Sequence, residues 1–411
     1  MNAESRWLRS DEGASRNPAP ESESWRDRFA ASLMKSTPAP LTQLDHGLGA
    51  EVWDVDGKRY LDFLGGIAVN ALGHAHPVFV GAVATQAAKL AHISNYFASA
   101  PQVELAERLK RVTGAGDAGR VYFCNSGAEA MEAAFKLARR NRQHGTIVAL
   151  HQAFHGRTMG ALALTGKPAL QGPFEPMVPG VVHIDSTIAA LERAITGQTA
   201  ALVLEPIKGE AGVLPLPAGF LERARELTAQ HGALLIVDEI QTGMGRTGTW
   251  FEYQQHGILP DAVAVAKGIA GGFPLGALVT FGAASDLFTA GQHGSTYAGN
   301  PLATAVGNAV MGEIERADLP ANAARRGAEL RAAIEGIGSP LVEGTRGAGL
   351  LVGVALTAPV AQRVATAALA RGLIVNAAND STIRLAPPLT IGDAEIAEFT
   401  ALFSAALKDA A

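Results

Sequence analysis

The sequence of 411 residues lacks the features on which several classes of protein depend. It contains one cysteine, Cys124, so no disulfide can form within the chain, and a secreted disulfide scaffold is excluded. No apolar run approaches the roughly 20 residues that a membrane-spanning helix needs. The net charge is −5, so no basic field attracts nucleic acid or an anionic membrane. We therefore expect neither nucleic acid nor a membrane among its partners.

Apolar residues and glycine are plentiful instead. Hydrophobic residues make up 48% of the chain and glycine occupies 46 positions, which suits an α/β protein with many tight turns. A chain of this length favours two domains, or one large domain with a smaller partner. Residues 1–33 are polar and lack periodicity, which predicts a disordered tail. They show no apolar stretch of a secretory signal and carry six acidic residues, so we expect a cytoplasmic protein.

From about residue 76, short apolar runs alternate with helical patterns, which predicts a mostly parallel sheet with helices on both faces. The predicted strands are 120–124, 146–150, 200–204, 233–237, 262–266 and 276–281. Before them, Asp56-Gly57 predicts a hairpin with a type I′ turn. After about residue 302, Ala-rich helices and short strands predict a smaller α+β unit. The predicted boundaries are 1–33 for the tail, 34–75 and 305–411 for the small domain, and 76–304 for the large domain.

Charged side chains follow the predicted strands, at the edge where a parallel sheet binds ligands. Lys267 follows a run of small apolar residues, and burial there lowers the pKa of an amine and makes it a nucleophile toward carbonyl groups. The alternative without a chemical role is a lysine whose side chain extends to solvent. Asp238 also follows an apolar run and needs a cationic partner, such as a protonated pyridine nitrogen. At ~4 Å that attraction is on the order of 4 kcal/mol, and a protonated ring makes pyridoxal phosphate an electron sink.

Three further features fit the same cofactor. The turn Ser126-Gly127-Ala128 joins a strand to a helix, and the free N–H groups of a first helical turn bind phosphate. Gly127 lets the backbone approach closely. Phe154 can stack on a planar ring, and Arg157 can bind a substrate carboxylate with its guanidinium. The set predicts a site for pyridoxal phosphate.

Seven motifs between about residues 37 and 408 carry a resemblance to a known family. They read NSGAEA from Asn125, FHGRT from Phe154, EPIKGE from Glu205, DEIQTG from Asp238, AKG from Ala266, HGSTY from His293 and IRLAPPL from Ile383. The chain resembles the class III (subgroup II) aminotransferases of fold type I, and within them the N-acetylornithine aminotransferases. The resemblance implies pyridoxal 5′-phosphate as cofactor and a large α/β domain with a mostly parallel seven-stranded sheet between helices. It also implies a smaller α+β domain from the N- and C-terminal segments, and a homodimer with active sites at its interface.

The resemblance also implies roles for the matching residues. Lys267 would hold the cofactor as a Schiff base and shuttle the proton, and Asp238 would pair with the pyridine nitrogen. Phe154 would stack on the ring, and Thr296 would reach the phosphate from the neighbouring subunit. The implied cofactor-binding set is Ser126, Gly127, Ala128, Phe154, Asp238, Glu239, Ile240, Gln241, Lys267 and Thr296.

Two arginines and a glutamate are implied to handle two unlike substrates. Arg157 would bind the α-carboxylate of acetylornithine and the distal carboxylate of glutamate, and Arg384 would bind the α-carboxylate of glutamate or 2-oxoglutarate. Glu210 would cover Arg384 while the amino donor is an ω-amine, and Ser295 belongs to the same substrate-binding set. The implied reaction transfers the amino group of N2-acetyl-L-ornithine to 2-oxoglutarate by a ping-pong mechanism, as a step of arginine biosynthesis.

Several alternatives stay open. Related ω-amine transaminases act on succinylornithine, N-succinyl-diaminopimelate, ornithine or 4-aminobutyrate, and a non-catalytic regulator of the same fold is an alternative of another class. Ile67 stands where ornithine δ-aminotransferases carry a tyrosine, which favours an N-acylated substrate. Lys208 stands where most members have glutamine, and we interpret it as a solvated charge. His151 and His155 lack acidic or cysteine partners at metal-ligand spacing, so we expect structural histidines and no metal.

Overall fold

The computed structural model describes residues 24–411, which form two compact units: residues 24–46 with 53–58, and residues 47–52 with 59–411. The helices are α1 (Trp25–Ser32), α2 (Gly65–Ala68), α3 (Pro77–Lys89), α4 (Ala100–Thr113), α5 (Gly127–Asn141), α6 (Met159–Leu164), α7 (Pro168–Gln171), α8 (Ile188–Ala194), α9 (Phe220–His231), α10 (Pro301–Arg316), α11 (Leu319–Gly336), α12 (Ala361–Ala370) and α13 (Asp393–Ala410). The strands are β1 (Leu44–Leu48), β2 (Glu51–Asp54), β3 (Arg59–Asp62), β4 (Arg120–Cys124), β5 (Thr146–Leu150), β6 (Val181–Ile184), β7 (Thr199–Leu204), β8 (Ile207–Lys208), β9 (Leu214–Pro215), β10 (Leu234–Asp238), β11 (Ala262–Val265), β12 (Gly276–Thr280), β13 (Val342–Ala348), β14 (Leu351–Leu356), β15 (Leu373–Ile374), β16 (Asn376–Asn379) and β17 (Thr382–Leu385).

The first unit contains the N-terminal helix and a turn. The hydroxyl of Ser24 caps α1 by accepting a hydrogen bond from the backbone N–H of Asp27 at 3.3 Å. The predicted tail therefore includes a helix at its described end, while its residues up to 23 lie outside the described part of the chain. In the turn at Asp56-Gly57 only Gly57 has a positive φ, of 81°. A type I′ turn requires a positive φ at both central residues, so that turn type was wrongly predicted.

The second unit is built around a seven-stranded sheet of order β4-β12-β11-β10-β7-β5-β6. Neighbouring strands from β11 to β6 run parallel, whereas β12 runs antiparallel to both β11 and β4. The mostly parallel seven-stranded sheet is thereby confirmed. The strand β6 was not recognised in the sequence. It lies at an edge and is only partly buried, so its residues do not form the apolar run that marks a central strand.

The two faces of this sheet are buried in different clusters. Ile147 and Ala149 of β5 pack in the cluster that includes Met131 of α5, whereas the alternate residues Val148 and Leu150 pack in the larger cluster on the other face. Successive side chains of a strand point to opposite faces, so this division shows helices covering both sides. Burial on both faces explains why β7 and β10 consist almost entirely of apolar residues.

The C-terminal segment forms an antiparallel sheet of order β13-β14-β17-β16 with α12 and α13. Phe399 of α13 stacks on Phe63 with ring centroids 4.5 Å apart, and Leu61 of β3 pairs with Leu373 of β15. The chain just after residue 58 thus packs with the C-terminal segment, which agrees with a small α+β region drawn from both. The domain boundaries themselves stay a prediction, because residues 59–411 group into one compact unit.

A pair of glycines on α11 tests how closely this helix packs. A Cβ at Gly327 would stand 1.9 Å from the backbone oxygen of Gly349, a contact that the backbone must move to relieve. We expect Gly327→Ala to lower the free energy of unfolding by about 2 kcal/mol through overpacking. Gly336→Ala is the matched control, since no atom lies within 4 Å of its Cβ position. There the gain in helix propensity should stabilise the protein by about 0.5–1 kcal/mol. Urea unfolding measures both, and an unchanged midpoint for Gly327→Ala would contradict the close contact.

Candidate active site

A cavity of about 400 Å³ opens at the carboxyl ends of the parallel strands. Much of its wall is drawn from the segments that follow β4, β5, β7, β10 and β11, as expected for an open α/β sheet. The lining residues are Val69, Asn125, Ser126, Gly127, Ala128, Phe154, His155, Gly156, Arg157, Glu205, Asp238, Ile240, Gln241, Ala266, Lys267, Gly272, Phe273, Pro274 and Leu275. Most of the side chains selected from the sequence therefore lie together.

One end of the cavity is formed by the first turn of α5. The hydroxyl of Ser126 caps this helix by accepting from the N–H of Glu129 at 3.2 Å. The N–H groups of Gly127 and Ala128 lie in the first turn, where no intrahelical carbonyl can accept them. They and the helix dipole suit an anionic group. A Cβ on Gly127 would stand 2.9 Å from Ile240 Cδ1, so glycine also lets α5 approach the residues that follow β10.

Asp238 is held by two hydrogen bonds in the cavity wall. Its Oδ2 lies 2.7 Å from Nδ1 of His155, and its Oδ1 accepts the N–H of Ile240 at 3.0 Å. Burial alone would lower the pKa of His155, but the Asp238 carboxylate raises it above its ordinary value. The interpretation of His155 as a structural histidine missed its place beside Asp238. No local pattern marks this partner, because the two residues are 83 positions apart in the chain.

Glu205 is a second buried carboxylate in the wall, to which the sequence analysis assigned no role. It accepts the backbone N–H of Phe154 at 2.9 Å and so orients the loop that presents the Phe154 ring. Burial raises the pKa of Glu205 to about 7, with His155 acting in the opposite direction. Its position at the end of β7, between the loop after β5 and Asp238, was the available sequence signal.

Lys267 follows the end of β11 by two residues and lies at the wall of the cavity. Burial, together with the Arg384 guanidinium, lowers the pKa of its amine to about 8. With that pKa roughly a tenth of the amines are uncharged at neutral pH, and only the uncharged amine is nucleophilic. The backbone of Lys267 has a positive φ of 49°, which a non-glycine residue adopts only where the surrounding structure holds it.

Arg384 on β17 is almost fully buried, with 1% of its surface exposed, and a carboxylate covers it. Its guanidinium forms an ion pair with Glu210, donates to Gln241 Oε1 at 3.2 Å, and donates to Asn376 Oδ1 at 2.8 Å. Burial alone would raise the pKa of Glu210, but the adjacent guanidinium lowers it below its ordinary value. A Cβ on Gly209 would stand 1.9 Å from Gln241 Oε1, so any other residue there would displace the Gln241 side chain that Arg384 contacts.

Arg384 and its partner Glu210 are not part of the lining but reach it through Gln241, and three further selected residues lie away from the cavity wall. Thr296 is exposed, and Ser295 contacts Asn125 at 3.1 Å and Glu129 at 3.3 Å through its hydroxyl. Glu239 is buried behind the wall, where its carboxylate accepts from the N–H of Tyr253 at 2.9 Å and from the hydroxyl of Thr242. The side chain of Glu239 thus does not line the cavity, and its assignment to the cofactor stays a prediction.

Lys208 is buried, with 6% of its surface exposed, so its interpretation as a solvated charge was wrong. Its Nζ donates to the backbone oxygen of His151 at 3.2 Å and to Ser186 Oγ at 3.0 Å. Ile67 lies in the turn α2, where it has a φ of 65°, and it does not line the cavity. Within residues 24–411 no three potential metal ligands cluster together, and no helix there is long and apolar enough to cross a membrane.

Comparison with known proteins gives consistent matches over nearly the whole chain. Residues 33–407 match the family model described as aminotransferase class-III. The acetylornithine aminotransferase of Streptomyces coelicolor is 51% identical over 388 residues, which cover 94% of this chain and 96% of that protein.

Two solved structures are similar as well. The N-acetylornithine aminotransferase of Stenotrophomonas maltophilia is 37% identical with a TM-score of 0.79, covering 90% of this chain and 96% of that one. The ornithine aminotransferase of Toxoplasma gondii is 30% identical with a TM-score of 0.88, covering 94% and 95%. Its structure is described as having partial occupancy of PLP at the active site.

The buried carboxyl group of Glu239 predicts a pH dependence of stability. Burial raises its pKa from 4.5 to about 8, so the folded chain keeps a proton that the unfolded chain releases. The stability that this group contributes is complete below the unfolded pKa and is lost as the pH rises through about 8. In that window each pH unit costs up to about 1.4 kcal/mol. As the pH rises from about 5 to about 8, the free energy of unfolding should therefore fall less in Glu239→Gln than in the wild type. Glu226→Gln on the surface is the control, and equal slopes for Glu239→Gln and wild type would contradict the assignment.

Proposed function

The chain belongs to the class-III aminotransferases, and we propose that it converts N2-acetyl-L-ornithine and 2-oxoglutarate to N-acetyl-L-glutamate 5-semialdehyde and L-glutamate. The observation that carries this proposal is a buried arginine, Arg384, covered by Glu210 beside a cavity that holds Lys267. The names of the relatives support acetylornithine as the amino donor, and we propose that the reaction is a step of arginine biosynthesis.

The cofactor of this family is pyridoxal 5′-phosphate, and the cavity wall fits each part of it. The first turn of α5 would hold the phosphate through the N–H groups of Gly127 and Ala128. Phe154 would supply a flat apolar face, and Asp238 a carboxylate for the pyridine nitrogen. Lys267 would supply the amine for the carbonyl carbon. When bound, this group withdraws electrons from a carbon attached to the substrate nitrogen.

The protein's own groups would hold and move protons around that reaction. Asp238 stays fixed by His155 and the N–H of Ile240, so it presents a carboxylate of constant orientation. A fixed anion in a low-dielectric wall stabilises a positive charge placed beside it. The Lys267 amine, with a pKa of about 8, can accept and return a proton near neutral pH. Glu205 holds the Phe154 loop against the sheet and so keeps the cavity shaped.

The pair Glu210–Arg384 gives one cavity two charge states. In the closed state Glu210 is paired with Arg384, and Arg157 is the guanidinium left for a substrate carboxylate. Arg157 lines the cavity and forms no ion pair with any residue among 24–411. An ω-amine donor with one carboxylate fits that state. When Glu210 leaves, two guanidiniums face the cavity, and a dicarboxylate such as glutamate or 2-oxoglutarate can bind both.

We also propose a homodimer whose active sites are shared. Thr296 is exposed and does not line the cavity of its own chain, in agreement with a role in the partner's phosphate site. Around it, Tyr96, Phe97 and Tyr297 are exposed aromatic side chains, and Asn95 is hydrogen-bonded to the backbone oxygen of Ser295 at 3.2 Å. An exposed aromatic patch of this kind favours burial by a partner. A cytoplasmic location remains part of the same proposal.

Chemical labelling tests the role of Lys267. We expect borohydride reduction of the protein with bound cofactor to leave a pyridoxyl group on the peptide that contains Lys267, because its amine is the nucleophile at the cavity wall. Lys267→Ala should carry no label and should lose at least about 10²-fold in transamination rate. Lys208→Gln, which removes another buried lysine, should keep the label on Lys267. Label found on a different lysine, or normal turnover by Lys267→Ala, would refute the assignment.

A panel of amino donors with 2-oxoglutarate tests the substrate. We expect kcat/KM for N2-acetyl-L-ornithine to exceed the values for ornithine and 4-aminobutyrate by about tenfold or more. The two carboxyl groups of the cavity lining, Glu205 and Asp238, are already engaged by Phe154 and His155, so the α-ammonium group of ornithine would have to compete for them, and an unpaired charge is costly to desolvate. Succinylornithine and N-succinyl-diaminopimelate complete the panel. A higher kcat/KM for any other donor would reassign the substrate and leave the transaminase class intact.

A further inference from the structure

Side chains of other segments hold the backbone of the loop that carries Glu210. Three successive carbonyl oxygens each accept a hydrogen bond from a side chain of a different segment. The pairs are Lys167 Nζ with Glu210 O at 2.8 Å, Asn379 Nδ2 with Ala211 O at 2.9 Å, and Arg346 Nε with Gly212 O at 2.8 Å. Because the backbone is fixed at all three points, the Glu210 side chain is the part of this loop that can move.

Lys167 differs from the other two donors in its surroundings. It is half-buried, and burial lowers the pKa of its amine. Glu210 and Glu205 act in the opposite direction, while Arg384 and Arg157 lower the pKa further. Lys167 therefore lies close to both substrate-binding guanidiniums and to the carboxylate that covers one of them. It forms no ion pair with the residues between 24 and 411.

We propose that Lys167 is the second partner of the Glu210 carboxylate: Glu210 pairs with Arg384 while an ω-amine is bound, and with Lys167 when a dicarboxylate takes Arg384. Nζ already lies 2.8 Å from the backbone oxygen of Glu210. Rotation about the side-chain bonds of Glu210 therefore brings its carboxylate toward Lys167 Nζ without displacing the loop. This inference rests on the proposed two-substrate reaction and names the residue that lets Arg384 be uncovered.

The energetic reason is the cost of an unpaired buried charge. Glu210 keeps only about a quarter of its side-chain surface exposed, 26%, so leaving Arg384 without a new partner is unfavourable. A cation at Lys167 stabilises the open state, in which Arg384 is free. A ligand that binds only the open state has an apparent affinity proportional to the population of that state. Lys167 is thus a positioning residue that acts through Glu210.

The first experiment replaces Lys167 by methionine, which keeps the length of the side chain and removes its charge. The affinity for glutarate, a dicarboxylate without an amino or keto group, should fall about tenfold by calorimetry on the holoenzyme. In single half-reactions the KM for 2-oxoglutarate should rise about tenfold, with little change in the maximal rate. The KM for the ω-amine donor should not rise with it, because that donor binds the closed state. Equal effects on both half-reactions would overturn the proposal.

Three further variants separate this role from simple support of the loop. Arg346→Met is the matched control, since it removes another cation that holds the same loop but binds Gly212. If it reproduces the selective loss of dicarboxylate binding, loop support explains the effect and the proposal fails. Lys167→Arg should restore the dicarboxylate affinity. In a Glu210→Gln background, Lys167→Met should have no further effect on glutarate. A tenfold loss of glutarate affinity in that background as well would show that the Lys167 charge attracts the dicarboxylate directly. That result would refute a role through Glu210.

The outcome is distinguishable from a failure of the proposed reaction. Glutarate binding requires no amino donor, and the half-reactions can use whichever ω-amine the enzyme accepts. If acetylornithine is not the donor but the selective loss remains, the role of Lys167 stands. If acetylornithine is the donor and both half-reactions lose equally, the reaction stands and Lys167 is structural.

Discussion

The parallel register of β10 between β7 and β11 is the constraint on which the site depends. Val237 pairs with Leu204, so Asp238 emerges beside Glu205, and Asp238 pairs with Ala264, three residues before Lys267. Two carboxylates and an amine that are far apart in sequence thus reach one edge of the sheet. Burial of these strands on both faces fixes the register, because a slip of one residue would exchange the residues of the two cores.

Charges at this edge are buried in combinations that offset one another. Asp238 has His155, Glu205 has the N–H of Phe154, and Arg384 has Glu210. A buried charge that loses its partner is strongly destabilising, so each of these pairs resists change except where a substitute is at hand. A substrate carboxylate is such a substitute for Glu210 on Arg384. The electrostatics that hold the wall together therefore also make one of its pairs exchangeable.

The central strands were predictable within about one residue, because a strand buried on both faces is an unbroken apolar run, as in β5 and β10. The edge strand β6 was not predictable, because it is only partly buried and so does not form an unbroken apolar run. At the site, Lys267 and Asp238 were recognised because a charge after an apolar run is unusual. Lys208 was misjudged and the partner of His155 was missed, since a single lysine or histidine gives no sign of its burial or its partner. Glu239 was assigned to the cofactor through the resemblance that the motif at Asp238 carries, and its side chain lies outside the cavity lining.

The amino-acid sequence by itself determined the α/β class, the order of the central elements, and the set of reactive groups that follow the strands. Local patterns suffice for these, because apolar periodicity and the residues at strand ends are properties of short segments. That Glu210 covers Arg384 was implied only through the family resemblance, and the tertiary structure places the two side chains in contact. The tertiary structure alone decided that His155 holds Asp238 and that Lys167 holds the loop of Glu210. Each of these pairs joins residues 43 to 174 positions apart. Their distances depend on how whole elements pack, which no local pattern records.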